Sequence, residues 1–305
     1  MHGRMTMGSL LAGLLWLAGG GAARAAEAPP TVVELIERLP SCESIETCPP
    51  ARALIERGPG VWPDLGAGLE HEAELVRFWT LGVLSELPIP AARAAVTKRL
   101  GDTAVRVRAA AAFALGALAD RASTPDLLKA LADDDLNVRF AAAVALGALK
   151  DPASVPGLIA ACRDQDEDVR TQAAAALGEI GDRRATAALL ERVDQDIVAQ
   201  VRGFAAMALA QLGDPAAVKP LIAHVAEEKD PKALASTVYT LGVLGDRAAI
   251  PALEPLLTHS DETVRDYARD ALAHLKAPPK PGPPPEPATP SPRREPDPPK
   301  PAPSR

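Results

Sequence analysis

An arginine recurs along this chain every 31 or 32 residues, and the apolar phrase behind it recurs in register, so the fold has to be a stack of one small unit. Arg108, Arg139, Arg170, Arg202 and Arg265 are each followed seven residues later by a leucine: Leu115, Leu146, Leu177, Leu209 and Leu272. One further unit keeps its leucine, Leu241, and puts Leu234 in the arginine's place. A unit this short cannot enclose a core of its own. It buries its apolar face only against its neighbours, which predicts an all-α solenoid of antiparallel helix pairs.

The spacing inside a unit is helical. From Val138 to Leu149 the apolar residues Val138, Ala141, Ala142, Ala145 and Leu149 repeat at three and four, one face of a first helix. The glycine of the Leu-Gly pair near its end permits a close approach or a turn. Asp151-Pro152 and Asp214-Pro215 then fit the start of a second helix, aspartate as cap and proline in the first turn, and Asp120, Asp182 and Asp246 stand at the same place. Acidic turns such as Asp133 to Asp135 lead to the next unit. Aromatic residues make up only 3% of a chain that is 47% hydrophobic, so the interior must consist of Ala, Leu, Val and Ile, which lets helices approach closely.

Outside the repeat the composition changes. Arg4, an apolar stretch from Leu10 to Ala18 and Ala23-Arg24-Ala25 have the layout of a secretory signal peptide over residues 1–25, cleaved before Ala26, with export to a periplasm or the exterior. The apolar stretch is shorter than the roughly 20 residues a bilayer span needs, and no other segment is expected to cross a membrane. Residues 26–71 form an atypical capping region. There Cys42 and Cys48 predict a local disulfide in an oxidising compartment, while Cys162 fills a slot held elsewhere by Leu131, Val193 and Val225 and reads as a small core hydrophobe. Trp62, Phe78 and Trp79 are expected to give the end cap its bulk. The repeats occupy residues 72–276. In residues 277–305, 14 of 29 are proline, which predicts a disordered, extended spacer; its Pro-x-x-Pro spacing, as in Pro278 to Pro281 and Pro284 to Pro287, suits an aromatic groove.

Charge and motifs narrow the function. Without the leader and the tail, the repeat body holds 26 basic and 37 acidic residues, a net −11 that repels phosphate backbones and argues against nucleic acid. His71-Glu72 begins like a zinc-protease helix but has no second ligand at the required place, and His224, His259 and His274 share no spacing. The run Asp164 to Asp168 resembles a calcium loop without its sixth-place glycine and twelfth-place glutamate, so helix capping explains it better. No metal, cofactor or catalytic constellation is expected. The arginine ladder reads as structural, each guanidinium spanning to an aspartate such as Asp120, Asp151 or Asp182, or to a helix-end carbonyl.

The phrases Val138-Arg139 through Asp151-Pro152 and Val169-Arg170 through Gly181-Asp182 resemble the HEAT-like repeats first associated with phycobilisome lyases, over residues 72–276. That resemblance implies a HEAT/armadillo-like superhelix whose second helices line the concave face. It directs attention to the polar residues that vary there: Asp126, Lys129, Arg163, Glu191, Arg192, His224 and Glu254. The expected function is an exported, non-enzymatic scaffold for a protein or peptide. Two other classes stand beside it: a bilin lyase or isomerase, as some relatives are, and a structural envelope protein tethered through its proline-rich tail. Thiol titration of the unfolded, unreduced protein is expected to find one free thiol, and three would remove the Cys42–Cys48 bridge.

Overall fold

A leucine buried at the centre of every first helix organises the chain: Leu81, Leu115, Leu146, Leu177, Leu209 and Leu241 are all fully enclosed. The structure is a computed structural model that describes residues 29–277, so the expected signal peptide over residues 1–25 and the proline-rich tail lie outside the described residues. Two helices, α1 (Val32–Arg38) and α2 (Pro49–Glu56), precede the stack. The first helices of successive units are α4 (Glu74–Glu86), α6 (Val105–Ala117), α8 (Leu136–Leu149), α10 (Glu167–Ile180), α12 (Ala199–Leu212), α14 (Pro231–Leu244) and α16 (Glu262–Lys276). The shorter second helices alternate with them: α3 (Trp62–Leu69), α5 (Arg93–Arg99), α7 (Thr124–Ala130), α9 (Val155–Ala161), α11 (Thr186–Gln195), α13 (Val218–Val225) and α15 (Ile250–Leu253). Among the described residues there is no strand, and no helix is long and apolar enough to cross a membrane.

The corner between the two helices differs from the sequence expectation. Asp120, Asp151, Asp182, Asp214 and Asp246 do act as caps, but each caps a three-residue 3₁₀ turn that precedes the second helix. Each carboxylate accepts the backbone N–H two residues on, the Asx geometry that competes with an immediate α-helical start. The second helix begins one turn later. At the far end of the first helix, Gly181, Gly213 and Gly245 adopt a left-handed conformation that closes it.

The glycine of the Leu-Gly pair does the other job, close approach. A Cβ on Gly116 would lie 2.9 Å from the Cα of Ala145, one on Gly147 3.1 Å from the Cα of Ala176, and one on Gly178 3.0 Å from the Cα of Ala208. Successive first helices therefore touch backbone to backbone, while successive second helices approach far less closely. A two-layer stack bends toward its more tightly spaced layer. The concave face is thus lined by the first helices, not by the second helices as the resemblance implied.

The N-terminal end is closed by α1, α2 and the 3₁₀ turn Leu39–Ser41, which bury Leu35, Ile36, Leu39 and Leu54. Cys42 and Cys48 are bonded, and their loop presents Ile45 to α4, where a Cβ on Gly82 would meet its Cδ1 at 2.9 Å. Trp62 lies beside Gly66 on α3, and Trp79 lies near Gly82 and the cap residue Ile45 on α4. Phe78 and Trp79 are half-buried at this end and border the concave side, because helical spacing turns them away from buried Val76, Arg77 and Thr80.

Gly116→Ala is expected to destabilise the protein by about 1–3 kcal/mol, since backbone must move to admit the methyl group. Gly66→Ala meets only the Trp62 ring at 3.5 Å and is expected to stabilise by up to about 1 kcal/mol through helix propensity. Urea unfolding of both variants checks the pair.

Candidate functional site

The repeated arginine joins each unit to the next. Arg139 donates to both carboxylate oxygens of Asp164 at 2.8 and 3.0 Å, and to the carbonyls of Asp133 and Asp134 just before its own helix. Arg77 is paired with Asp102, Arg108 with Asp133, Arg170 with Asp196 and Arg202 with Glu228 in the same forked geometry. The pairing runs about one unit forward, to the acidic turn and not to Asp120, Asp151 or Asp182. Those three lie in the opposite corner, where Asp120 meets Arg93 and Asp151 accepts the Thr124 hydroxyl. Helix-end carbonyls are capped by other arginines, Arg121 reaching Leu149 and Lys150, and Arg247 reaching Leu275.

Each partner carboxylate also accepts the N–H two residues on, at Ala104, Asp135, Asp166, Val198 and Asp230. The calcium-like run is therefore spoken for: Asp164 serves Arg139, and Asp166 caps α10. Two units lack an arginine one unit upstream, and there a histidine fills the acid slot. His71 Nδ1 accepts from Ala73 N and His259 Nδ1 from Asp261 N, while the carbonyls of both histidines accept from Arg77 and Arg265. Imidazole supplies the acceptor without a buried charge that nothing would neutralise. Leu234 and His259 are thus a matched replacement. Arg265, on the last first helix, has carbonyl partners, His259 and Ser260, among the described residues.

The polar residues proposed from the sequence as partner contacts sit on the outer, second-helix layer, and they bind one another. Lys129 pairs with Asp126 at 2.9 Å, Arg163 and Arg192 share Glu191, and Lys276 meets Glu254 at 2.8 Å. His224 is buried and lies 3.2 Å from Glu228, inside the Arg202 pair. Asp126 and Lys129 also line a shallow cleft of about 250 Å³ between α5 and α7, together with Thr97, Leu100 and Asp133.

The concave layer has a different character. All four phenylalanines and both tyrosines of the chain are on first helices, together with Trp79; of the aromatic residues among the described residues only Trp62 is elsewhere. They stand one, two or five residues after the ladder position: Phe78 and Trp79 on α4, Phe113 on α6, Phe140 on α8, Phe204 on α12, Tyr239 on α14 and Tyr267 on α16. Phe113, Phe204, Tyr239 and Tyr267 are each 40–44% exposed. Phe78, Trp79, Phe113 and Phe140 line a cleft of about 710 Å³ with Ile45 at its end; Arg106 and Asn137 add polar edges. Phe204 and Met207 border a second cleft of about 390 Å³ between α12 and α14. Tyr239 and Tyr267, edge to face with centroids 6.0 Å apart, border a third of about 260 Å³ between α14 and α16. Positions that vary in a fixed register after the arginine, and that hold nearly every aromatic, were the sequence signal for this face.

A stack of helix pairs stapled by arginine and carrying its exposed aromatics along one concave face is an α-solenoid of helical repeats. HEAT repeats match residues 62–141, 93–172, 124–203 and 198–273, and the chain belongs to that family. No curated protein sequence matches it. Among solved structures it is similar to YibA of E. coli, with 23% identity, TM-score 0.58, and 80% of this chain and 91% of that one covered. It is similar to an engineered protein at 21% identity and TM-score 0.53, covering 81% and 78%, and to the CpcE–CpcF complex of phycocyanin lyase from Nostoc sp. PCC7120 at 24% identity and TM-score 0.46, covering 69% and 93%.

The ladder makes stability depend on pH. In Asp133 the Arg108 guanidinium is the largest influence and holds the carboxyl below the usual range. In Asp102, Asp196 and Glu228 burial is the largest single influence and pushes upward, but guanidinium, backbone N–H and neighbouring charges together outweigh it and leave them lowered. A carboxyl depressed in the folded state contributes its full stability above the unfolded value, about 4, and loses it as pH falls through the lower folded value. Arg170→Ala, which leaves nearly buried Asp196 with Arg192 at 3.4 Å as its remaining guanidinium, is expected to cost about 3 kcal/mol at pH 7, the low end for breaking a buried pair. Lys129→Ala, at an exposed pair, is expected to cost under about 1 kcal/mol. Thermal unfolding is expected to show the Arg170→Ala deficit shrinking below about pH 4, and a pH-independent deficit would contradict the ladder's electrostatic role.

Proposed function

We propose that this protein is an exported, non-enzymatic scaffold that holds a protein or peptide partner on the concave face of its HEAT-repeat solenoid. One observation carries the reading: in a chain with so few aromatics, seven of the eight beyond the leader lie on that face, and the most exposed could have been buried in the same stack. Partly exposed aromatic rings around clefts are what interface anchors look like, because a ring buries large apolar area on contact at a small cost in side-chain entropy. Isolated apolar side chains are ordinary on a surface, whereas an aligned set marks a place of contact.

Other features support the remaining parts of the reading. The leader layout and the Cys42–Cys48 bridge both suit an oxidising compartment outside the cytosol. Cys162, the free thiol among the described residues, is enclosed, and burial pushes it up to about 12, far from the value of a reactive nucleophile. The outer-layer residues Asp126, Lys129, Arg163, Glu191, Arg192 and Glu254 are engaged with one another, which leaves recognition to the inner face.

Affinity capture from the native envelope tests this with three baits. The unaltered protein and Lys129→Glu, on the outer layer, are expected to retain the same partner. Phe113→Asp, which places a charge in the 710 Å³ cleft without touching the ladder, is expected to reduce its recovery at least about tenfold, the effect of losing one interface anchor. Loss with Lys129→Glu and retention with Phe113→Asp would move the binding surface to the outer layer.

A further inference from the structure

We propose that the proline-rich segment 278–305 docks on the C-terminal half of its own concave face, as an extended strap that starts in the Tyr239–Tyr267 cleft. The inference rests on the reading of that face as a ligand surface, and it names an occupant for one end of it. Three observations carry it.

The first is position. Arg247 holds the carbonyls of Leu275, Lys276 and Ala277, so the segment leaves the stack at a fixed point beside the C-terminal ends of α14 and α16. His274 is three residues before that point and already lines the cleft, with Tyr239, Val243, Tyr267 and Asp270. A strap tethered there experiences an effective concentration of order millimolar, enough to populate even a weak intramolecular contact.

The second is periodicity. Prolines stand at 278, 281, 284, 287 and 290, a spacing of three over five repeats. A polyproline II helix has three residues per turn, so in that conformation these five would share one apolar edge about 37 Å long with a step of about 9 Å. Packed helices lie about 8–10 Å apart. A strap crossing the first helices therefore advances one ridge proline per helix, from the Tyr267 and Tyr239 rings on α16 and α14 toward Phe204 and Met207 on α12. Proline edges against exposed aromatic rings are a recurring mode of peptide recognition, and the preformed extended helix loses little entropy on docking.

The third is charge. The segment from Ala277 carries five basic and three acidic residues, opposite in sign to the net −11 of the repeat body. Asp270 borders the cleft, and Lys280 falls between the first two ridge prolines.

The chain has two tyrosines, and both border this cleft. Ring-labelled tyrosine in the full chain thus gives an NMR report on the cleft alone. Replacing the ridge (Pro278→Ser, Pro281→Ser, Pro284→Ser, Pro287→Ser, Pro290→Ser) is expected to shift both ring signals and raise their relaxation by a soluble gadolinium chelate. Replacing five prolines off the ridge (Pro279→Ser, Pro283→Ser, Pro285→Ser, Pro292→Ser, Pro298→Ser) is expected to leave them near their original positions. Signals unmoved by either variant, or moved equally by both, would overturn the proposal. So would ridge-dependent signals that change on dilution, which would assign the strap to a second copy. The Phe113→Asp capture reads the other end of the face, so the strap and the partner reading can fail separately.

Discussion

Five successive units of this solenoid are joined by a guanidinium that is satisfied twice, once by the turn before its own helix and once by a carboxylate in the next turn along. Because that carboxylate's residue also offers its backbone carbonyl to the next arginine, the pairs form a chain. It runs from Arg77 through Asp102, Arg108, Asp133, Arg139, Asp164, Arg170, Asp196 and Arg202 to Glu228. A solenoid has no central core to hold its units in register, so register must be fixed link by link. A forked, nearly buried pair does this better than alanine packing alone, since sliding a unit along the seam would strand charge. The buried leucines contribute burial, and the arginines contribute alignment.

The histidines at 71 and 259 show that the slot has two separable requirements. Every slot needs an acceptor for the N–H two residues on, and only a slot facing an arginine needs a negative charge as well. Where the upstream arginine is missing, at the start of the ladder and behind Leu234, imidazole meets the first requirement without the second. The same histidines, seen as letters in a chain, resemble scattered surface residues or stray metal ligands. Their role becomes visible only through what lies one unit before them.

The repeat itself and its helix pairs were legible in the sequence because periodicity reports packing that is local and repeated. The direction of curvature was not, because it depends on which of two layers is spaced more closely. That spacing is set by glycine–alanine contacts such as Gly116 with Ala145, between residues far apart in sequence. The expectation that Asp126, Lys129 and their counterparts line the concave face followed from that one point. Asp126, Arg163 and Glu191 vary from unit to unit because they pair across the outer layer, and variation alone cannot separate a recognition surface from a freely solvated one. The arginine's partner was missed for a related reason: Asp120 and Asp133 are both near Arg108 in sequence, and only the corner geometry decides between them. Phe78 and Trp79 read as end-cap bulk, and only the helical turn shows that they also border the inner face.

The inner face is not uniformly apolar, and the interruption is informative. Between Phe140 on α8 and Phe204 on α12, helix α10 presents Thr171, Gln172, Ala175 and Glu179 at the corresponding positions. A continuous aromatic stripe along all seven first helices would be an apolar surface large enough to drive self-association. Dividing it leaves a broad cleft near the disulfide loop and two narrower clefts near the C-terminal end, each small enough to stay exposed in an unoccupied monomer. The division also separates the clefts physically. A strap anchored at Ala277 meets the tyrosine cleft first and has to cross polar α10 before it reaches Phe140. On the reading given above, the broad cleft around Phe113 therefore stays open to a partner while the chain's own prolines occupy the far end.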